Sequence, residues 1–414
     1  MNAKREPQFM KTKNQKYDII GDIHGHADPL RTLLAKLAYV EREGAYHHPE
    51  RTVIFMGDFV DRGPKIRETL QIVKAMMDAG TALAVMGNHE YNAIAYHTPD
   101  GRGGYLRPRD AEKMRQHQAT LDQVAIPEPE EWEGWLNWFK TLPLFLELDG
   151  ARIIHACWDA AQIAFLDGDN RLTDELLVKS AVKGTPEYRA VEVLIKGKEI
   201  RLPEPHTFTD KGGVVRRDIR TKWWLSGEGH TFHSLCMPEC DTVPKVPVDT
   251  AALKLGYAPT EPPVFVGHYW LPPATPELLA PNVACVDYSV AKPGGMLAAY
   301  RWDGERVLDA AKFVTVPRVD LPPTDLVPPP VRASADKGFK ANLTKKPETE
   351  KLFYRPMDED TRRFMELTKD HDSELTTPLD RSKITPEQWA EGWAAARKVI
   401  AESGVIYKSL PKAD

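Results

Sequence analysis

The sequence predicts an α/β fold in which short buried strands alternate with helices. Three apolar runs, at 17–20, 52–56 and 82–86, are each followed by a glycine-flanked polar turn and then by a segment whose apolar residues recur at helical spacing. Such repeated strand–turn–helix units favour a partly parallel sheet, and ligands of these sheets gather beyond the carboxyl ends of the strands. We therefore expect the functional residues in the three turns.

The helices are predicted from capping residues and apolar spacing. The first begins at Asp28, as N-cap, with Pro29 at its first helical position. The second spans the apolar residues from Ile66 to Met77, and another segment with helical spacing contains Trp132 and Phe139. Residues 99–126, rich in glycine and charge, are interpreted as a long surface excursion.

The later strands follow the same rules. Residues 144–148 and 152–155 predict a β-hairpin around an Asp-Gly turn, and three more strands are predicted at 264–266, 283–286 and 296–302. Histidines stand at the ends of two of these strands: His155 closes the hairpin, and His268 follows the strand at 264–266.

Composition bounds the class of protein. The chain has 414 residues with 42% hydrophobic and 28% charged residues, which is typical of a soluble globular protein. A net charge of −5 provides no bulk attraction to nucleic acid or to anionic membranes. The sequence contains no membrane-spanning apolar run and no hydrophobic signal segment at its start, so we expect a cytoplasmic protein.

The four cysteines are too few for a disulfide scaffold. Cys236 and Cys240 could form a zinc site only with nearby histidines, His230 and His233. No second cysteine pair follows, and we favour reduced thiols in a surface loop.

The domain organisation is predicted from shifts in composition. A polar tail at 1–16 precedes a main domain at 17–310, within which 159–261 forms an insertion or cap that covers or shapes the site. A proline-rich linker at 311–331 leads to a C-terminal extension at 332–414. The extension ends in a helix capped by Thr385, whose apolar stripe would dock on the core or, alternatively, bind a partner.

Seven polar residues at the ends of predicted strands form the candidate site. Alone, each is most simply a hydrogen-bonded structural residue. Together they supply the oxygen and nitrogen ligands that two divalent metal ions need, and such a pair can activate a bridging hydroxide and hold a phosphate. One carboxylate must bridge the metals, and Asp58, in the middle unit, is the natural choice. The seven residues are Asp22, His24, Asp58, Asn88, His89, His155 and His268.

The loop from Gly57 to Gly63 adds a further carboxylate and an arginine to this set. Asp61 and Arg62 lie three and four residues beyond Asp58. A buried strand has no use for such charges, so they indicate a bound cation and an anionic substrate. The planar fork of an arginine suits two phosphate oxygens.

Three motifs, at 21–25 (GDIHG), 57–63 (GDFVDRG) and 87–90 (GNHE), resemble the signature motifs of the calcineurin-like metallophosphoesterases. The similarity is greatest to the phosphoprotein-phosphatase branch, which includes bacterial serine/threonine phosphatases and symmetrical diadenosine tetraphosphatases. It covers roughly residues 17–158 and 262–305. The resemblance implies a four-layer αββα sandwich with a dinuclear metal centre.

The resemblance also implies a role for each residue. Asp22, His24 and Asp58 would hold one metal ion, whereas Asp58, Asn88, His155 and His268 would hold the other. His89 would protonate the leaving oxygen, oriented by Asp61, and Arg62 would bind the phosphate together with Asn88 and His89. Manganese is the expected metal, although this ligand set also accepts iron, zinc, cobalt or nickel.

The sequence departs from the family pattern in places that bear on the substrate. Cys157 and Trp158 stand where a glycine is common, and Tyr269-Trp270 follows His268 where many phosphatases carry threonine. The tetraphosphatases that the motifs resemble can carry tryptophan near this position, so Trp270 favours a nucleotide as substrate. The resemblance also implies a second phosphate-binding arginine from the middle of the chain, where Arg216, Arg217 and Arg220 compete and each is most simply an ordinary solvated charge.

Three functional hypotheses follow. The first is hydrolysis of phosphomonoesters, on phosphoproteins or small molecules. The second is hydrolysis of dinucleoside polyphosphates, with Trp223, Trp224, Tyr269 or Trp270 stacking on a base; packing in the core is the simpler explanation of these aromatic residues. The third is a non-catalytic binding protein that uses the same fold.

Overall fold

Two β-sheets form the centre of the part of the chain that this computed structural model describes, residues 16–209 and 215–318. The first sheet has the strand order Asp287–Tyr288, Met296–Trp302, Lys16–Ile20, Arg51–Phe55 and Ala82–Ala84, and Phe313–Pro317 also pairs with Met296–Trp302. The second has the order Val283–Cys285, Val264–Val266, Ala151–Ile154 and Phe145–Leu148. The predicted strands are thus confirmed, with small shifts at their ends.

The pairing brings the carboxyl ends of most strands to one edge. In the first sheet 16–20, 51–55 and 82–84 run parallel, with Ile20 paired to Phe55 and Phe55 to Ala84. In the second sheet 151–154, 264–266 and 283–285 run parallel. All the turns that carry predicted site residues therefore leave their sheets at carboxyl ends, as expected.

Alternation of side chains along the strands creates the layers. Ile19 and Ile54 face the second sheet and share a buried cluster with Phe265, whereas Ile20 and Phe55 belong to the larger cluster that includes the helices. Because successive residues of a strand point to opposite faces, each sheet is covered on both sides. The result is the predicted four-layer αββα sandwich.

The helices that the structure describes cover the outer faces of the sheets and the site. None of them is long and apolar enough to cross a membrane. They span Ala27–Lys36, Ile66–Asp78, Asn88–His97, Ala111–Thr120, Pro129–Phe139, Ala160–Phe165, Asp174–Ser180, Pro186–Lys196 and Phe232–Leu235, with single turns of other helix types at Leu121–Ala125 and Ala310–Lys312. Short two-stranded ribbons pair Val40–Arg42 with Ala45–His47, Glu199–Arg201 with Asp218–Arg220, and Phe208–Thr209 with Val215–Arg216.

The prediction of a surface excursion at 99–126 is wrong for the second half of this stretch. That half contains the helix Ala111–Thr120 and the helical turn that continues it. The Asp110 side chain caps this helix by accepting a hydrogen bond of 2.8 Å from the backbone N–H of Lys113. Apolar spacing missed the helix because its most buried positions carry His117 and Thr120 instead of apolar residues.

Two predicted boundaries also change. Residues 313–317 form a strand of the first sheet, so this part of the predicted linker belongs to the domain. Lys16 begins the first strand instead of ending a tail. The rest of the tail, the remainder of the linker and the predicted helix after Thr385 lie outside the described residues.

The region predicted as an insertion, 159–261, contains helices, short strands and a small apolar cluster of its own, built around Ile200, Ile219 and Phe232. Trp223 and Trp224, 3% and 5% exposed, join it to the main core. The Trp223 indole donates hydrogen bonds of 3.0 Å to the Ala156 carbonyl and to the Tyr269 hydroxyl. This pair is therefore part of the core, as the simpler explanation held.

Candidate active site

The turns that carry the site residues touch one another through their glycines. A Cβ atom added to Gly87 would lie 2.2 Å from Asp58 Oδ1, and one added to Gly57 would lie 2.3 Å from the Gly87 nitrogen. Real Cβ atoms do not approach other atoms so closely, so only glycine permits the second and third turns to pack together. Their contact sets Asp58 directly against the start of the helix that carries Asn88 and His89.

Backbone strain is concentrated at the same turns. Eleven described residues other than glycine have a positive φ, and six of them are His24, Asp58, Asp61, Arg62, His268 and Trp270. Each such residue costs about 1–3 kcal/mol and persists only where the surrounding structure fixes it. This clustering of strained residues marks the strand-end turns as the functional region.

Glu90 fixes the turn around Asp58. Its carboxylate accepts hydrogen bonds of 2.7 and 2.8 Å from the backbone N–H groups of Asp58 and Phe59, and another of 3.1 Å from Gly87. Burial, reinforced by the charge of Asp58, raises the pKa of Glu90 to about 7. Glu90 thus positions the turn without facing the cavity.

Asp58 lies at the centre of two groups of ligand atoms. One group combines Asp58 with His24 and His89, and the other combines it with His155 and His268; within each group the atoms lie within 4.8 Å of one another. Asp58 Oδ2 is 3.6 Å from His24 Nε2, and Oδ1 is 3.4 Å from His155 Nε2. One carboxylate therefore offers an oxygen to each group.

Two histidines direct their Nε2 atoms toward this centre. His24 and His155 donate Nδ1–H to the carbonyls of Val60 (2.9 Å) and Met56 (2.6 Å), which fixes each ring with Nε2 facing Asp58. Burial lowers the pKa of His24, and Arg62 lowers it further. Backbone carbonyls behind histidine rings fix the orientation that a metal ligand requires.

The second group fits a metal ion because it combines two oxygen ligands with a histidine nitrogen that has no hydrogen-bond partner. His155 Nε2 faces two acceptors, Asp58 Oδ1 and, at 3.2 Å, Asn88 Oδ1. Burial disfavours a charged imidazole, but the nearby carboxylates outweigh it and raise the pKa of His155 to about 10. His268 Nε2 is buried without a hydrogen-bond partner. A cation among these atoms would satisfy them all.

Asn88 and Asp22 complete the surroundings of His268. The Asn88 amide oxygen lies 2.6 Å from His268 Nδ1, and the Asp22 carboxylate accepts a hydrogen bond of 3.0 Å from the His268 backbone. Burial and the neighbouring Asp287 raise the pKa of Asp22. Asp22 lies in neither three-residue group, and His89 is the third member of the group that contains His24 and Asp58.

Asp61 holds His89 through a short hydrogen bond to Nδ1. Two residues that the sequence interpretation missed hold Asp61 in turn: His117 Nδ1 lies 2.7 Å from Asp61 Oδ1, and the Thr120 hydroxyl donates to the same oxygen at 2.6 Å. Burial opposes the carboxylate, but the two histidines dominate and lower the pKa of Asp61. The signal available was a His and a Thr three positions apart, on one face of a helix.

Arg62 spans the two sides of the site. Its terminal nitrogens lie 3.0 Å from His24 Nε2 and 3.1 Å from His89 Nε2, and its guanidinium stacks 3.7 Å from the centre of the Trp270 ring. Each terminal nitrogen carries a second N–H, which is available to a phosphate oxygen. Trp270 is partly exposed, whereas Tyr269 is buried, so of this pair Trp270 is the aromatic residue accessible to a ligand.

Arg62, Asn88, His89 and His268 open into a cavity of about 730 Å³, within the usual range for small-molecule sites. Its lining contains no carboxylate and six basic residues: Arg62, Arg107, Lys113, Arg115, Lys196 and Arg220. Of the three candidate arginines in the middle of the chain, Arg220 is the one that reaches this cavity. Arg217 instead pairs with Glu204 at 2.9 Å.

Comparison with known proteins finds one matching family model and several named relatives. Residues 16–204 match the family model of the calcineurin-like phosphoesterases. The chain is 43% identical over 145 residues to the asymmetrical bis(5′-nucleosyl)-tetraphosphatase of Bacillus subtilis, covering 34% of this chain and 56% of that protein. It is 29% identical over 277 residues to the symmetrical bis(5′-nucleosyl)-tetraphosphatase of Azotobacter vinelandii, covering 56% of this chain and 88% of that protein.

Other matches are shorter or more distant. The asymmetrical enzyme of Halalkalibacterium halodurans is 45% identical over 75 residues, which cover 18% of this chain and 30% of that protein. The chain thus spans only a third to about half of these asymmetrical relatives. A solved serine/threonine phosphatase from Saccharomyces cerevisiae aligns over 76% of this chain and 83% of that chain with 14% identity and a TM-score of 0.43. Residues 16–204, a little under half of the chain, are thus similar to the calcineurin-like phosphoesterases.

Proposed function

We propose that the protein is a metal-dependent phosphoesterase. The observation that carries this proposal is the position of Asp58, whose two carboxylate oxygens face separate groups of histidines at 3.6 and 3.4 Å. A carboxylate so placed is suited to bridge two cations. His89, held by Asp61, and Arg62 adjoin the same centre.

The residues present fit two divalent ions, with Asp58 shared. His24 and Asp22 would complete the first set, and Asn88, His155 and His268 the second. When bound, such a pair supplies positive charge to the phosphoryl oxygens and activates water for in-line attack. Manganese is the proposed metal, and iron, zinc, cobalt and nickel suit the same oxygen and nitrogen ligands.

The protein's own groups act on the phosphate and on the leaving group. Arg62 and Arg220 line the cavity and would bind phosphoryl oxygens, with the Asn88 amide beside them. In the reaction, the oxygen of water bonds to phosphorus and the bond from phosphorus to the leaving oxygen breaks. His89 Nε2 would give that oxygen a proton, while Asp61 holds Nδ1–H and keeps the ring oriented.

Two substrate classes fit this proposal. Phosphomonoesters need only the centre around Asp58, and phosphoproteins are the larger members of this class. Dinucleoside polyphosphates carry several adjacent charges, and the basic lining of the 730 Å³ cavity favours them. The three bacterial relatives described above are named for that activity. A purely binding role is disfavoured, since a binding protein would not require a general acid that is oriented by a carboxylate, as His89 is by Asp61.

Turnover of three substrates by the purified chain with manganese tests the proposal: p-nitrophenyl phosphate, a phosphoserine peptide and diadenosine tetraphosphate. Hydrolysis of at least one is expected. No turnover of any of them by protein that carries two metal ions would reject the enzyme and leave a binding protein.

A further inference from the structure

Four cations of the cavity lie beyond the proposed phosphate ligands Arg62 and Arg220. Arg107, Lys113, Arg115 and Lys196 come from the segment after the helix Asn88–His97 and from two other helices. A single phosphate bound at Asp58 does not require them. Their concentration without any carboxylate in the lining therefore needs its own explanation.

Arg107 is the cation of this set that the structure fixes most firmly. Its backbone N–H bonds to the Ala95 carbonyl at 3.0 Å. Its guanidinium donates to two side-chain amide oxygens, Asn92 at 2.9 Å and Gln116 at 2.8 Å. These acceptors are neutral and orient the guanidinium, which forms no ion pair within the described residues, so it can still pair with a bound anion.

Arg107 lies on the His89 side of the site, where the proposed acid would protonate the leaving oxygen. Asn92 is three residues beyond His89 on the same helix, and Gln116 adjoins His117, which holds Asp61. A narrow recess beside His89 is lined by Arg107 and Lys113 as well as by Asp61 and His117. The amine of Lys113 has one acidic neighbour, Glu112 at 3.0 Å, in an exposed pair of the kind that contributes little.

We propose that Arg107, assisted by Lys113, binds a second phosphate carried by the leaving group, so that the substrates are compounds with linked phosphates cleaved at a P–O–P bond. The inference rests on the proposed phosphoesterase function. Water oxygen bonds to the phosphorus held at Arg62, and the bridging oxygen departs with the second phosphate. His89 protonates that oxygen, and Arg107 neutralises the remaining charge.

Selectivity between two substrates tests this subsite. The leaving group of p-nitrophenyl phosphate has no phosphate, whereas every leaving group from diadenosine tetraphosphate has at least one. Arg107→Met should lower the ratio of kcat/KM for diadenosine tetraphosphate to that for p-nitrophenyl phosphate by about tenfold or more, as loss of a charged hydrogen bond predicts. The matched control is Arg102→Met, an exposed arginine of the same segment that does not line the cavity.

Competitive inhibition provides a readout that needs no nucleoside. With p-nitrophenyl phosphate as substrate and manganese in excess, imidodiphosphate can reach both phosphate positions, whereas inorganic phosphate fills one. Arg107→Met should raise the inhibition constant of imidodiphosphate by about tenfold and leave that of phosphate within about twofold. Arg107→Lys should recover part of the loss, since it keeps the charge without the fork.

The outcomes separate the subsite from the phosphoesterase itself. If the wild type hydrolyses p-nitrophenyl phosphate but Arg107→Met changes neither the selectivity nor the imidodiphosphate constant, the subsite is wrong and the enzyme stands. If the wild type hydrolyses neither substrate, the proposed function fails. Calorimetric titration of tripolyphosphate into wild type and Arg107→Met then decides the subsite, and equal affinities would overturn it.

Discussion

The two walls of the cavity are constructed differently. On the wall around Asp58, the proposed metal ligands follow the ends of strands and are at most 8% exposed, and His24, Asp58 and His268 among them have a positive φ. On the opposite wall, the basic side chains come from helices and connecting segments, and Arg107 and Arg115 are partly or fully exposed. The first wall is suited to hold metal ions rigidly, and the second to accommodate an anion of variable length.

The largest effect should come from the shared carboxylate. Asp58→Asn retains the shape and an acceptor for the His89 backbone N–H but removes the charge that both groups share. The loss of kcat/KM on p-nitrophenyl phosphate should exceed the roughly 10–100-fold cost of removing a group behind a metal ligand. Mass spectrometry of the native protein should show fewer than two metal ions.

Asp78→Asn is the matched control for this variant, since Asp78 is exposed and pairs with Lys74 on the surface. It should retain two metal ions and full turnover. An Asp58→Asn protein with both ions and normal activity would remove the bridging role.

Removing the proposed acid should have the next largest effect. His89→Asn should lower kcat by about a hundredfold on phenyl phosphate, whose leaving oxygen needs a proton, and by less on p-nitrophenyl phosphate, whose leaving group departs as an anion. His47→Asn, far from the cavity lining, serves as control. Equal losses on the two substrates would show that His89 acts in binding alone.

His117 should matter less because it acts through Asp61. His117→Ala removes one of the two donors to Asp61 Oδ1 and should lower kcat by about tenfold, within the range for groups behind catalytic residues, with a larger loss on phenyl phosphate. His117→Asn places an amide N–H near the lost Nδ1–H and should recover activity. If alanine and asparagine lose equally on both substrates, the role of His117 is only structural.

The smallest effect is expected from the loss of Arg220, and the neighbouring Arg217 provides the comparison. Arg220→Met should raise KM for p-nitrophenyl phosphate by about tenfold because a phosphate ligand in the cavity is lost. Arg217→Met should leave KM unchanged, since Arg217 pairs with Glu204 on the surface. The opposite order would assign the phosphate to Arg217.

The difference between the walls also explains what the sequence could predict. Asp58, His155 and His268 were found because each directly follows a strand, and parallel strands bring such positions to one edge. His117 and Arg107 lie in the stretch interpreted as a surface excursion. Neither has a local signal: each acquires its role from a partner, Asp61 for His117 and Asn92 for Arg107, that is distant in the chain. Such tertiary contacts leave no periodic pattern in the sequence from which they could be predicted.

The fold shows the same division. The strands and the helices at 27–36 and 66–78 have regular apolar spacing and were predicted close to their observed ends. The helix at 111–120 was missed because it buries polar groups around Asp61. The helix lacks an apolar pattern because its buried positions carry polar residues that contact Asp61.

Removal and return of metal tests the central claim most directly. The purified chain, stripped by chelation and assayed with p-nitrophenyl phosphate, should lose its turnover and regain it as two manganese ions bind per chain, with Asp58→Asn regaining none. Turnover that survives in protein shown by elemental analysis to be metal-free would contradict the account, as would a chain that binds two ions and hydrolyses no phosphoester.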